Sequence, residues 1–404
     1  MSDVRDVIVV GAGPGGSATA YFLARHGFNV LLLDKADFPR DKTCGDGLTP
    51  RALGVLRTMG LLDAFVAAGF KVNGVHIYAP NGHRVSSPIP PWGNLPPFAL
   101  VLPRLQLDDL IRAHAVSAGA EFWPHAEVTD VLRDGGRIVG VRAKTADGPR
   151  ELQGRYTVLA TGASIALLER AQLLASPALF GRAARAYYEG IGALSDYIEF
   201  HFESVPLPGY GWMFPISPTA ANVGAGYFVR PGQPALRNSP RQVLDEFIAN
   251  PIVAGRLEGA RPLGPVKGYP LRLDFPTARI AFPGLVLVGE AAGLVNPLTG
   301  EGIDYALESA EVGAEVLAHA LRGSQAPQQT ERRYGQMMRD RFLRAFVAIT
   351  RVRDVYFRPW LLNRFASAAN RNEDLKLLLI QIALGNVDPA QGLSPKTVLQ
   401  IALG

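Results

Sequence analysis

The sequence predicts an α/β protein: a doubly wound parallel sheet, an antiparallel sheet inserted into it, and a helical tail. Three observations carry this reading. Residues 6–34 run strand, glycine turn, helix, strand, acid. Two later segments, 156–164 and 285–293, are apolar runs that end in glycine turns, as returning strands of one buried sheet do. Between them the period changes to two, beginning at Ile198-Glu199-Phe200-His201-Phe202-Glu203, the mark of a half-buried antiparallel strand.

The first element is Asp6-Val7-Ile8-Val9-Val10, followed by the turn Gly11-Ala12-Gly13-Pro14-Gly15-Gly16 and a helical stretch to Arg25. Gly11 permits the tight turn, Gly13 lets backbone N–H groups reach a pyrophosphate, and Gly16 lets the helix pack closely on the strand. The helix N-terminus offers unpaired donors and the positive end of its dipole to two negative charges. The second strand ends at Asp34, where an acid can accept hydrogen bonds from a ribose hydroxyl. The chemistry predicted here is dinucleotide binding.

Residues 38–50 follow as a loop dense in Gly, Pro and charge, and a helical pattern runs from Pro50 to about Ala67. Five prolines within residues 88–97 make that stretch irregular, either a surface loop or the rim of a cleft. Arg104 opens another helix, with Leu105, Leu107, Leu110 and Ile111 apolar and Asp108 and Asp109 polar. Residues 210–216 and 222–229 continue the alternation from Ile198, giving about three strands in this part. Residues 296–303 form a second glycine loop before a long helix through about Leu321, with a breaker at 323–327. In the tail, Phe342, Phe346, Ile349 and Tyr356 share a helical face opposite Arg344, Arg351 and Arg358, while Arg353 falls among the apolar positions.

Composition narrows the function classes. The hydrophobic content of 48% is that of an ordinary globular protein. One cysteine excludes an internal disulfide and fits a reducing, cytoplasmic setting. A core strand beginning by Asp6 leads us to expect no cleaved leader, and no apolar stretch is long enough to span a membrane. Seven scattered histidines show no metal-ligand spacing, so no metal is expected. The net charge of +5 sits in the tail: residues 331–376 hold ten arginines and one lysine against five acids, a net +6. The main body therefore offers no basic face for nucleic acid, and none is expected as a partner.

The second strand end decides which dinucleotide. Gly289-Glu290-Ala291-Ala292-Gly293 supplies a carboxylate and free backbone donors, which a long two-headed ligand such as FAD would use. The adenine half would lie at Gly11–Asp34 and the ribityl and flavin half at Glu290 and the next loop. The helix start near residues 300–303 would bring positive dipole to the flavin.

The glycine turn, Asp34, Arg104 with Asp108, Ala160-Thr161-Gly162 and Gly289-Glu290-Ala291-Ala292-Gly293 together resemble the flavoprotein superfamily of aromatic hydroxylases, halogenases and geranylgeranyl reductases. Within it, Pro39-Arg40-Asp41-Lys42-Thr43-Cys44-Gly45-Asp46-Gly47 resembles the cysteine loop of the geranylgeranyl reductases, and Tyr210, Trp212 and Phe214-Pro215 their aromatic motif. Asn296-Pro297-Leu298-Thr299-Gly300-Glu301-Gly302-Ile303 resembles the version in menaquinone reductases. Two positions depart from the pattern: Glu290 stands where the family usually has Asp, and Thr161-Gly162 replaces an Asp-Gly pair.

The resemblance implies a discontinuous FAD-binding domain of the aromatic hydroxylase type at 1–70, 100–165 and 275–325. It implies a substrate domain at 71–99 and 166–274 and a helical region at 326–404. The implied reaction is saturation of carbon–carbon double bonds in an isoprenoid chain, a polyprenyl quinone or geranylgeranyl lipid, with NAD(P)H or ferredoxin as electron donor. It places Cys44, Tyr210, Trp212 and Phe214 at the reaction. It places Gly11, Gly13, Pro14, Gly15, Gly16, Asp34, Lys35, Arg40, Cys44, Gly45, Arg104, Thr161, Gly162, Gly289, Glu290, Pro297, Gly300, Gly302 and Ile303 at the cofactor. A membrane-borne substrate and the basic tail together suggest peripheral contact with the inner membrane face. A flavin monooxygenase or halogenase on the same fold, or a non-catalytic flavin or lipid carrier, are the alternatives. The Tyr210 and Cys44 motifs argue against the first.

Overall fold

The computed structural model describes residues 4–174, 180–192, 194–229, 238–323 and 325–403. The remaining residues of the ranges 1–70, 166–274 and 326–404, and part of the breaker at 323–327, lie outside the described residues.

The four apolar runs read from the sequence lie side by side. The main sheet runs Ala281–Phe282, Leu285–Leu287, Gly148–Leu159, Arg5–Val10, Val30–Leu33, Glu121–Trp123. The last five of these are mutually parallel. Val7–Val9, Leu31–Leu33, Val158–Leu159 and Leu285–Leu287 are almost fully buried, because helices cover both faces and leave no polar side for alternation. Helix Pro14–Arg25 packs against both Arg104–Ser117 and Ile303–Gly323. The N-terminal half of Gly148–Leu159 leaves the parallel sheet to pair antiparallel with Arg137–Thr145.

The second sheet has seven strands in the order Arg261–Arg272, Phe180–Glu189, Ala220–Phe228, Gly209–Ser217, Tyr197–His201, Gly74–Tyr78, Arg84–Pro88. Tyr197–His201 pairs parallel with Gly74–Tyr78, so a segment far upstream joins the sheet. One face packs Val223 and Met213 on Val243, Leu244 and Phe247 of helix Pro240–Ile248. The other packs Trp212, Phe214 and Val75 against Ile380 and Leu384. A small third sheet, Gly47–Leu48, Ala99–Val101 and Phe70–Val72, lies between the two.

The structure corrects two expectations and decides one that was open. The helical pattern from Pro50 is two helices, Pro50–Thr58 and Leu62–Ala68, because Gly60 takes a positive φ of 77° between them. The proline-rich stretch does not rim the main cavity. Trp92 and Leu95 line a separate cleft with Arg51, Arg57 and Glu308. Arg353, on helix Pro327–Tyr356, is no flaw in that helix's apolar face: it is buried, pairs with Asp354 at 2.9 Å and donates to the Pro297 carbonyl at 3.3 Å. That face is used inside the protein, where Phe346 meets Phe275 at 5.3 Å and Tyr305 at 5.0 Å between ring centres.

Candidate active site

A cavity of about 750 Å3 lies between the two large sheets and reaches the C-terminal helices. Its first end is the glycine turn. Gly13 precedes helix Pro14–Arg25 with no side chain capping it, so the helix donors are left for another acceptor. Gly11 has φ +100°, and a Cβ there would fall 2.5 Å from the Ala160 carbonyl oxygen. A Cβ on Gly16 would fall 1.8 Å from the Gly11 carbonyl oxygen. At Gly13 a Cβ would lie 3.5 Å from the Arg40 guanidinium and 3.9 Å from that of Arg104. Buried Asp108 holds both arginines, Arg104 through Nη2 at 2.7 Å and Arg40 at 2.9 Å. Both guanidiniums, Arg40 also lying 3.8 Å from Asp34, are held beside free helix donors, and their remaining N–H groups with those donors suit a pyrophosphate.

Asp34 accepts from the amides of Ala12 at 2.8 Å and Ala36 at 2.9 Å. It thereby pins the glycine turn to the second strand, and its oxygens keep acceptor capacity toward the cavity. The residues present fit FAD: a pyrophosphate cradle with no side chain in it, an acid at the ribose position, and a second acid, Glu290, across the cavity lining. Glu290 accepts from the Arg272 amide at 3.2 Å and faces Lys42 at 3.4 Å.

The loop at 38–47 joins the two sheets. Asp41 pairs with Arg185 and Lys267 of the antiparallel sheet, both at 2.6 Å. Asp46, with φ +66°, accepts from the Tyr187 hydroxyl at 2.6 Å and the Asn222 amide at 2.8 Å. Asn222 also donates to the Cys44 carbonyl at 2.7 Å and accepts from the Trp212 indole at 3.0 Å. Asp46 Oδ1 is buried without a partner. Burial pushes this carboxyl up to about 6, against the opposing pull of its Tyr187 and Asn222 hydrogen bonds. Burial likewise pushes the Cys44 thiol up, Arg104 opposing, so Cys44 is a neutral thiol at physiological pH.

Tyr210, Trp212 and Phe214 alternate along strand Gly209–Ser217 and all line the cavity. Gly45 packs on this wall: a Cβ there would lie 3.1 Å from the Phe214 ring. The Tyr210 hydroxyl donates to the Thr299 carbonyl, tying the wall to the second glycine loop. Phe200 meets Tyr210 at 5.2 Å and Phe214 at 5.3 Å, both edge to face. Beyond it the lining is Phe202, Phe228, Leu271, Leu298, Val352, Phe357, Leu362, Phe365, Leu379 and Ala383. The C-terminal helices thus supply one end of the cavity without a charged group.

The cavity gathers nearly every residue singled out from the sequence, Lys35, Thr161, Gly162, Gly289, Gly300, Gly302 and Ile303 included. Gly16 and Pro297 do not line it: Gly16 is filled by the Gly11 backbone, and Pro297 is buried under Arg353. The sequence marks Asp46 only as part of the charged loop and gives no role to Tyr187, Asn222, Glu301 or the apolar end. A signal existed for Phe200 and Phe202, which share the alternating face with Ile198. None existed for Asn222 or Tyr187, which meet Asp46 only across the fold.

Residues 5–173 match the model of the FAD binding domain family. The menaquinone reductase of Mycolicibacterium smegmatis is 31% identical over 96% of this chain and 93% of its own length. A digeranylgeranylglycerophospholipid reductase of Methanopyrus kandleri is 31% identical over 92% of both. Among solved structures, a geranylgeranyl bacteriochlorophyll reductase-like protein of Thermoplasma acidophilum superposes with a TM-score of 0.81 at 25% identity over 92% of both chains. A flavin-dependent brominase reaches 0.78 at 22% identity, over 99% of this chain and 98% of its own, a likeness of fold alone.

Proposed function

The chain belongs to the family of FAD-dependent menaquinone and geranylgeranyl-lipid reductases, and on that premise we propose that it saturates a carbon–carbon double bond in the side chain of a polyprenyl quinone. It is an FAD-dependent oxidoreductase acting on isoprenoid chains, in which FAD, once reduced by an electron donor, would supply the two electrons. The observation that carries the quinone is the charge distribution of the cavity. Its cations come from residues 35–42, 104, 170, 185 and 267, and none from the C-terminal helices. Of these, Arg40, Lys42, Arg104, Arg185 and Lys267 are already matched by Asp34, Asp41, Asp108 and Glu290. An uncharged head and a long apolar chain suit such a lining better than a diphosphate does.

On this reading residues 71–99 and 166–274 form the substrate domain and its sheet face the wall over which the chain lies. Gly11, Gly13, Asp34, Arg40, Arg104 and Glu290 would hold FAD. Tyr210, Trp212, Phe214 and Phe200 would keep the alkene dry and oriented, and an isolated alkene needs both because it is a poor electrophile. Cys44, a neutral thiol at the joint of the two halves, would shape that contact.

Among the described residues no helix is long and apolar enough to cross a membrane. A membrane-borne substrate would be met through helix Pro359–Arg371, whose Trp360 is 58% exposed, with Val355 also exposed and Arg351 and Arg358 on the surface nearby. The test is mass spectrometry of quinones and prenyl lipids from cells with and without the protein. A gain of two hydrogens in the menaquinone pool is expected. The same gain in a glycerolipid would replace the quinone reading by the geranylgeranyl-lipid one, and no change in any isoprenoid would overturn both.

A further inference from the structure

Glu301 sits in the second glycine loop, directly before helix Ile303–Gly323. Its Oε1 accepts from the Ile303 amide at 2.7 Å and the Gly302 amide at 3.0 Å, and lies 3.4 Å from that of Asp304. The donors that a helix start offers to an anion in the cavity are therefore taken by a side chain of the same chain. Neighbouring acids are held differently. Asp304 and Glu308 face Arg51, Glu308 also meets Arg341 at 2.9 Å, and Glu290 faces Lys42. Among the described residues Glu301 makes no ion pair, so backbone donors alone stabilise its charge.

Gly300, Glu301, Gly302 and Ile303 all line the cavity that holds the glycine turn and Glu290. We propose that Glu301 is a displaceable internal anion: it occupies the helix donors of the FAD cavity, and FAD takes them over only as Glu301 gives up its charge. Glu301 is a positioning residue, since it acts through those donors. The proposal rests on FAD as the cofactor and is independent of which isoprenoid is reduced.

The groups facing Glu301 favour loss of its charge. Asp304 follows it in the first turn of helix Ile303–Gly323, with Thr49, the N-cap of helix Pro50–Thr58, and Arg51 of that helix behind it. Cys44 of the joining loop and Tyr210 of the aromatic wall face it from the other side, and neither is a cation. Burial, with the Asp304 carboxylate next, pushes Glu301 up to about 8, although its three backbone hydrogen bonds pull the other way. A carboxyl whose pKa lies there is mostly protonated at pH 7 and charged at pH 9. FAD binding is then accompanied by uptake of one proton above that pKa, and affinity falls about tenfold per pH unit.

The experiment follows FAD release from full-length holoenzyme on dilution, by recovery of flavin fluorescence, between about pH 6 and about pH 10. Wild type, E301Q and E301D are compared. Wild-type affinity is expected to be level below about pH 8 and to weaken about tenfold per unit above it. E301Q should lack the break and hold FAD about tenfold more tightly than wild type at pH 9, while E301D, which keeps a carboxylate, should retain a break. The proposal is overturned if wild type shows no break, or if E301Q keeps it. A lowered Tm in E301Q with an unchanged pH profile also overturns it, because Glu301 would then be a helix cap only. Should E301Q not fold, a break that survives in wild type and moves in E301D supports the proposal, and an unmoved one sinks it.

Discussion

The two ends of the cavity are built in opposite ways. The nucleotide end is made of backbone: Gly11, Gly13 and Gly16 lie within a single turn, and what matters is that nothing projects from them. The apolar end is made of side chains that meet from far apart, Phe200 and Trp212 from one sheet, Leu271 from its edge strand, Phe357 and Leu379 from the tail. The first end should be intolerant of addition and tolerant of change elsewhere. The second should be intolerant of removal. Between them the loop at 38–47 must satisfy both halves at once.

The largest effect is expected at Gly16. In Gly16→Ala the new Cβ meets the Gly11 carbonyl oxygen, which belongs to the turn itself and has nowhere to move. The variant should purify without flavin absorbance and with a lowered Tm. Wild-type flavin content would break the contrast between the two ends.

A smaller effect is expected from Trp212→Ala. It removes a buried ring and leaves Asn222 Oδ1 without its donor, on the side chain whose NH2 holds Asp46 and Cys44. Stability should drop by about 3 to 4 kcal/mol in urea denaturation. Flavin should still bind, and kcat/KM should fall well below that of wild type. Loss of flavin instead would mean that the two ends are not separable.

The smallest effect concerns the joint. The Asp46 carboxyl is pushed up to about 6, above its unfolded value. The stability it contributes is therefore fully present below the unfolded pKa and is lost as pH rises through about 6. Integrated, this is a loss of about 2 to 3 kcal/mol between pH 4 and pH 7. Asp46→Asn cannot ionise, so its urea midpoint relative to wild type should climb over that interval and level off above it. A difference that stays constant with pH would show that Asp46 ionises freely in the folded protein.

The sequence made the nucleotide end legible because its function is a local backbone property. Glycine spacing, the flanking apolar runs and Asp34 lie within thirty or so residues, and each constraint is written where it acts. The wall of Tyr210, Trp212 and Phe214 was legible for the same reason, since alternation along one strand fixes a shared face. The joint was only half legible. Asp41, Lys42, Cys44 and Asp46 stood out as a charged loop, but their partners Arg185, Lys267, Tyr187 and Asn222 lie 144, 226, 141 and 176 positions away. The tail's apolar face was read correctly as a face, whereas its destination was not readable. A helix stripe states that something covers it and leaves open whether that is lipid or Phe275 and Tyr305.

By itself the sequence therefore determined the sheet order's ingredients, the glycine turn proposed to hold the dinucleotide and the reductase resemblance, all of which depend on neighbours along the chain. Tertiary structure alone decided that strands Gly74–Tyr78 and Tyr197–His201 share a sheet, and that the tail closes the apolar end of the cavity. It also decided that Glu301 covers the helix donors. These depend on which distant surfaces exclude water from one another, and burial between remote segments has no period or spacing that a single chain can display.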